Sequence, residues 1–122
     1  LGLTKALKIT NGNQTSGAGA ADYIEIGYKM EAQDIRNSGW NYLSTSSFIT
    51  LTFYVKSSVA QVFYGYIRTR DGTSYAYPFS TGSLSADTWT KVTKTIPGNS
   101  NLQIDNNNES GLELLFHFME QI

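Results

Sequence analysis

SFITLTFYVKSS, Ser47 to Ser58, carries the clearest structural pattern in the chain. Ile49, Leu51, Phe53 and Val55 take alternate positions, and Thr50, Thr52, Tyr54 and Lys56 stand between them. Side chains of an extended chain point alternately to its two faces. A period of two therefore describes a half-buried β-strand with an apolar inner face and a polar outer one. The outer face carries an aromatic, Tyr54, beside threonines and a cation.

Six further runs share this character: Leu3–Thr10 (LTKALKIT), Tyr23–Met30 (YIEIGYKM), Gln61–Thr69 (QVFYGYIRT), Ser74–Thr81 (SYAYPFST), Trp89–Ile96 (WTKVTKTI) and Leu112–Met119 (LELLFHFM). Each is rich in β-branched or aromatic residues and bounded by turn chemistry. Asn11–Asp22 (NGNQTSGAGAAD) reads as a flexible loop. Asp71-Gly72 suits a hairpin turn that needs a positive φ at glycine. Pro97 ends its strand because it has no N–H for a ladder. In the polar loop Pro97–Gly111, Leu102 and Ile104 are expected to pin the chain to the body. Glu31–Asn37 has room for a single helical turn.

Turns about every ten residues, without crossover helices, exclude a parallel sheet and predict an all-β fold. The expected architecture is a two-sheet antiparallel β-sandwich of jelly-roll type, with seven to eight strands in one domain spanning 1–122. Alternation nominates its core: Ile24, Ile26, Ile49, Leu51, Phe53, Val55, Val92, Ile96, Leu112, Leu114, Phe116 and Phe118.

The 122 residues carry nine basic and ten acidic side chains, a net charge of −1, and charged residues make up only 16%. No run of Lys or Arg appears in the sequence, which argues against nucleic acid and against anionic membranes as partners. No apolar run is long enough for a transmembrane helix. The chain has no cysteine, which excludes thiol chemistry and thiolate zinc sites. It opens without an initiator Met or a signal peptide, so it is expected to be part of a longer chain.

Catalytic chemistry finds little support. The single histidine, His117, lies between Phe116 and Phe118 and is expected to point outward from the core. No nucleophile elbow is present. Glu25, Glu31 and Asp34, or Glu113 and Glu120, would have to meet in space to form a carboxylate pair. The loop Asp105–Ser110 (DNNNES) is dense in hard oxygen donors, and calcium there would fall to Asp105, Asn107 and Glu109. Asn-rich loops are equally ordinary turn material. Two Asn-x-Ser/Thr triplets, at Asn13 and Asn108, have meaning only in a eukaryotic secretory protein.

Aromatic surface is the most specific signal. Tyr64, Tyr66 and Arg68 share one face of their strand, while Phe63, Gly65 and Ile67 share the other. Tyr75, Tyr77 and Phe79 alternate on the next strand, and Tyr54 lies on the polar face of the strand before. Such a surface suits stacking against sugar rings, protein contact rich in Tyr and Arg, or cross-strand pairing that only stabilises the sheet. Trp40 is a loop residue that either folds over the core or binds a ligand. Trp89 is expected to cap one end of the core.

YIEIGYKMEAQDIRNSGW, ITLTFYVKSS, VFYGYIRTRDGTSYAYPFST, ADTWTKVTKTIPG and SGLELLFHF together resemble a group of bacteriophage proteins. These are tail-fibre and minor virion structural proteins with a carbohydrate-binding-module-like jelly roll. The match runs from about Ala6 to Phe118. It rests on framework motifs: Glu31 before the turn with Asp34 and Ile35, Thr50 to Ser58, Arg70-Asp71 with Ser74-Tyr75, Trp89, Thr95 to Gly98, and Gly111-Leu112. Family members usually carry a further strand at each end.

The resemblance implies a non-enzymatic virion protein without a cofactor, located in a phage tail or on a capsid surface and made in the bacterial cytoplasm. As a tail-fibre or surface-appendage domain it would attach to host glycan, with Tyr54, Tyr64, Tyr66, Arg68, Trp40 and Tyr77 as candidate contacts. Its partners would be other virion proteins and copies of itself, with a trimer as the typical tail-fibre assembly. Two alternatives share the fold: a capsid decoration protein making only protein contacts, and an ancillary carbohydrate-binding module of a glycoside hydrolase.

Overall fold

A computed structural model describes residues 2–12, 19 and 21–120. The chain forms two antiparallel sheets joined by irregular loops and one short helix. In order, the elements are β1 (Tyr23–Glu31), α1 (Ala32–Arg36), β2 (Phe48–Val55), β3 (Tyr64–Thr69), β4 (Ala76–Ser80), β5 (Thr90–Pro97) and β6 (Ser110–Glu120). Four strands make one sheet in the order β1-β6-β3-β4, and β2 pairs with β5 in the other. The chain crosses between sheets after β1, β2, β4 and β5, so only β3 and β4 form a hairpin within one sheet. This is the expected antiparallel β-sandwich.

Strand β2, the SFITLTFYVKSS stretch, pairs Ile49 with Ile96, Leu51 with Lys94 and Phe53 with Val92 on β5. Ile49, Leu51 and Phe53 face inward. Thr50, Thr52 and Tyr54 face outward opposite Thr95, Thr93 and Lys91. The inner face of the larger sheet is built in the same way. Ile67 and Leu114 are paired, as are Gly65 and Phe116, and Thr69 and Leu112. Phe53 crosses the gap between sheets: its ring lies edge-on to Phe116 at 4.9 Å and 6.2 Å from Phe79. Dispersion contacts of this kind, together with burial, hold the two layers face to face.

Loops close the ends of the sandwich. Ile104, expected to pin its loop, is buried in the core cluster with Ala32, Ile67, Phe79, Ile96 and Leu112. The Asp105 N–H donates to the buried Asp71 carboxylate at 2.8 Å. Helix α1 docks on the same loop. The N–H groups of Ala32 and Gln33, which lack partners within so short a helix, donate to the carbonyls of Glu109 and Asn107 at 2.8 and 2.9 Å. Leu84 is buried at the opposite end, where its N–H donates to the Gln61 carbonyl. Gly72 has φ +58°, as the Asp-Gly turn requires.

Three expectations change. Leu3–Thr10 alternates like a strand but forms none, and it lies exposed. Alternation permits a strand, yet only pairing with a neighbour makes one, and no neighbour meets this segment among the described residues. Trp89 caps nothing: it is exposed, with the Lys56 ammonium over its ring at 5.4 Å. The core also gains members absent from the expected set, namely Ala32, Ile67, Phe79, Leu84, Ile104 and Leu115. Because two strands cover less area than four, Tyr28 on the inner side of β1 stays 66% exposed.

Candidate functional site

The outer face of the four-stranded sheet gathers most of the polar and aromatic chemistry. Central strand β6 supplies Glu113, Leu115 and His117. On one side β1 places Lys29, Gly27 and Glu25 opposite them. On the other side β3 places Arg68, Tyr66 and Tyr64 in the same three rows. Pro78 of β4 pairs with Tyr66. Strand register therefore turns residues from four distant segments into one surface.

At one end of this face lies a shallow depression of about 230 Å³, lined by Tyr64, Gly65, Tyr66, Pro78, Phe79 and His117. The Tyr66 and His117 rings are 5.3 Å apart. His117 Nε2 stands 3.4 Å from Glu25 Oε2, and among the described residues neither ring nitrogen makes a hydrogen bond. Beneath these groups Leu115 sits between Gly27 and Tyr66 and is almost fully buried. This leucine is an apolar floor under a polar face, on the side of β6 that alternation gives to water.

At the other end, Glu113 is only 4% exposed and meets three cations. Arg68 donates through Nε to Glu113 Oε2 at 2.8 Å. Arg70 Nε lies 3.4 Å from Oε1, and Lys29 Nζ lies 3.7 Å from it. Burial pushes the carboxyl pKa up, but the Arg68 hydrogen bond and the charges of Arg68, Arg70 and Lys29 outweigh it. The result lies below the ordinary glutamate value of 4.5. The same hydrogen bond to Glu113 raises the pKa of Arg68. A glycosidase general acid needs a raised pKa. Glu113 is shifted the other way, and its role is to anchor cations.

This pairing has a measurable consequence. A carboxylate whose pKa is lower in the folded than in the unfolded chain stabilises the fold above the unfolded value. That contribution is lost as pH falls through the folded value. The melting temperature is therefore expected to fall as pH drops from above the ordinary glutamate value of 4.5 to below it. In Glu113→Gln that slope becomes shallower, as calorimetry across this range would register. An unchanged slope would remove Glu113 from the acid response.

The expected site residues divide into three groups. Tyr64, Tyr66 and Arg68 come together, and the Arg68 guanidinium lies 5.6 Å from the Tyr66 ring centre. Tyr54 does not join them. It is half-buried on the outward side of the two-stranded sheet, so the sandwich separates it from Tyr64 and Tyr66. Trp40 and Tyr77 are packing residues against the core cluster. The Trp40 indole N–H donates to the Ser47 carbonyl at 3.2 Å, and Tyr77 pairs with Ile67 on the inner side.

The loop with Asp105, Asn107 and Glu109 spends its polar groups locally. The Asn107 side-chain oxygen accepts from the Glu109 N–H, the Asn107 carbonyl serves α1, and Asp105 Oδ1 accepts from Gln103. Among the described residues, no three His, Cys, Asp or Glu side chains come together, and no helix is long and apolar enough to cross a membrane. The triplet at Asn13 and the residues beyond Glu120 lie outside the described residues. Lys29, Arg70, Pro78, Glu113 and His117 complete the outer face and fall outside the expected binding set. Three of them have a signal in the sequence: Arg70 shares a period of two with Arg68, Glu113 is a charge in an apolar run, and His117 between two phenylalanines is expected to point outward. Lys29 and Pro78 reach the face only by strand pairing.

No protein-family model, no curated protein and no solved structure matches the chain.

Proposed function

We propose that this protein is a non-enzymatic β-sandwich module of a phage virion that binds glycan on the outer face of its four-stranded sheet. The observation that carries the binding reading is the depression between Tyr64, Tyr66, Pro78 and His117, with Arg68 beside it. Tyrosine rings offer flat apolar faces to sugar rings, and the flanking polar groups bond hydroxyls. The virion setting, in a tail fibre or surface appendage, rests on the framework resemblance from Ala6 to Phe118.

Nuclear magnetic resonance titration with host-surface polysaccharide fragments tests the binding. Tyr64→Ala and Tyr66→Ala are each expected to weaken it about tenfold, the size of a well-packed aromatic contact. Tyr54→Ala on the opposite sheet should leave it unchanged. Equal losses for Tyr54 and Tyr64 would discard this face as the site.

A second reading, assembly through protein contact, is favoured by the two-stranded sheet. β2 and β5 pair only with each other among the described strands, so each keeps one edge able to accept a strand from another chain. A homotrimer, as in tail fibres, is the expected form. Light scattering would report it directly, and a monomer at all concentrations would oppose it.

A further inference from the structure

The glycan reading leaves open what kind of sugar fits, and the charged end of the same face addresses it. Lys29, Arg68 and Arg70 converge on one carboxylate, Glu113. At this end of the face three cations therefore surround one buried carboxylate, on a chain whose net charge is −1. Glu31, next along β1, accepts instead from the Gln33 side chain at 2.7 Å.

The two arginines are also held in a particular way. Both approach Glu113 through Nε. Among the described residues, the terminal amino groups of Arg68 and Arg70 donate no hydrogen bond, while Arg70 remains 48% exposed. The Nε hydrogen bond orients the Arg68 guanidinium and leaves its outer pair of N–H groups for a ligand, while Arg70 keeps only an ion-pair contact with Glu113 and is open to one. Planar forks of this type match a carboxylate with two parallel hydrogen bonds.

Spacing completes the picture. Residues two apart on a strand stand roughly 6.8 Å apart on one face. Tyr64, Tyr66, Arg68 and Arg70 therefore form a line in which stacking surface runs into charge. A saccharide chain lying along β3 would place one ring on the tyrosines and the substituents of the next against the arginines.

We infer that the glycan bound on this face is acidic, a uronate-type sugar whose carboxylate is received by Arg68 and Arg70. The inference rests on the proposed glycan-binding function and narrows it.

Calorimetric titration of the wild-type chain with polygalacturonate, alginate and hyaluronan oligomers, each beside its carboxyl-reduced form, tests it. At least one acidic oligomer is expected to bind about tenfold or more tighter than its reduced form, the range of a charge-assisted hydrogen bond. Added salt should narrow the gap. Arg70→Gln, at an exposed position, should abolish the preference while keeping the thermal midpoint. Arg68→Lys is the companion variant, because it retains a charge for Glu113 but not the fork. Tyr64→Ala should weaken both forms alike.

Equal affinity of wild type for acidic and reduced forms would overturn the inference and leave the glycan function standing. Binding to none of the acidic or neutral oligomers would overturn both. Polyglutamate bound as tightly as any uronate, without dependence on Tyr64, would overturn the inference in favour of a protein contact.

Discussion

Phe53→Ala is expected to destabilise the protein by about 3 kcal/mol, toward the lower end for a phenylalanine truncation because the ring is half-buried rather than sealed. The loss has two parts. The removed ring forfeits its transfer free energy, and the gap between sheets cannot collapse, because each sheet is held rigid by its own ladder. Phe53 is the residue of the two-stranded sheet that stands edge-on to Phe116, at 4.9 Å, and reaches Phe79 at 6.2 Å. Against a total stability of about 5–15 kcal/mol for an ordinary domain, that is a large fraction. Urea unfolding followed by tryptophan fluorescence would measure it. Phe53→Leu should recover most of the loss by refilling the volume. A cost below about 1 kcal/mol would mean that loops, not this aromatic contact, hold the sheets together.

Gly65→Ala should cost about 2–3 kcal/mol and weaken ligand binding as well. An added Cβ would stand 2.5 Å from the Leu115 carbonyl oxygen and 2.7 Å from Phe79 Cζ. The Phe79 ring can tilt aside, at the expense of its packing on Phe53 and Phe116. The carbonyl cannot, because β6 is paired on both sides, to β1 and to β3. Strand β3 must then shift outward, and it carries Tyr64 and Tyr66 on either side of the glycine. The expected signature is a lowered melting temperature together with reduced affinity for any glycan that Tyr64 also recognises. Loss of stability with full affinity would show that the tyrosine face tolerates movement of its strand.

Much of the fold is legible in the chain. Six of the seven alternating runs are strands, the short helix falls within 31–37, and Pro97 is the last residue of β5. Ile104 pins its loop as its isolated apolar character implies. The misses share one cause. Leu3–Thr10 has the pattern of a strand without a partner, and Leu115 is buried on the face that alternation assigns to water. Pattern reports what a segment can become, whereas burial is set by what lies across from it.

The site divides along the same line. Local sequence is enough to say which side chains share a face within a strand: Ile49, Leu51 and Phe53 inward from β2, and Tyr64, Tyr66 and Arg68 together on β3. These follow from the period of two, a local property of extended backbone. Which strands are neighbours is settled at the level of the whole sandwich. Its assembly sets Tyr54 on the opposite outer surface from Tyr64 and Tyr66, draws Trp40 and Tyr77 into packing roles, and brings Lys29, Arg68 and Arg70 around Glu113. Strand pairing is a contact between residues far apart in the chain, chosen by the burial of both sheets together, and no local repeat encodes it.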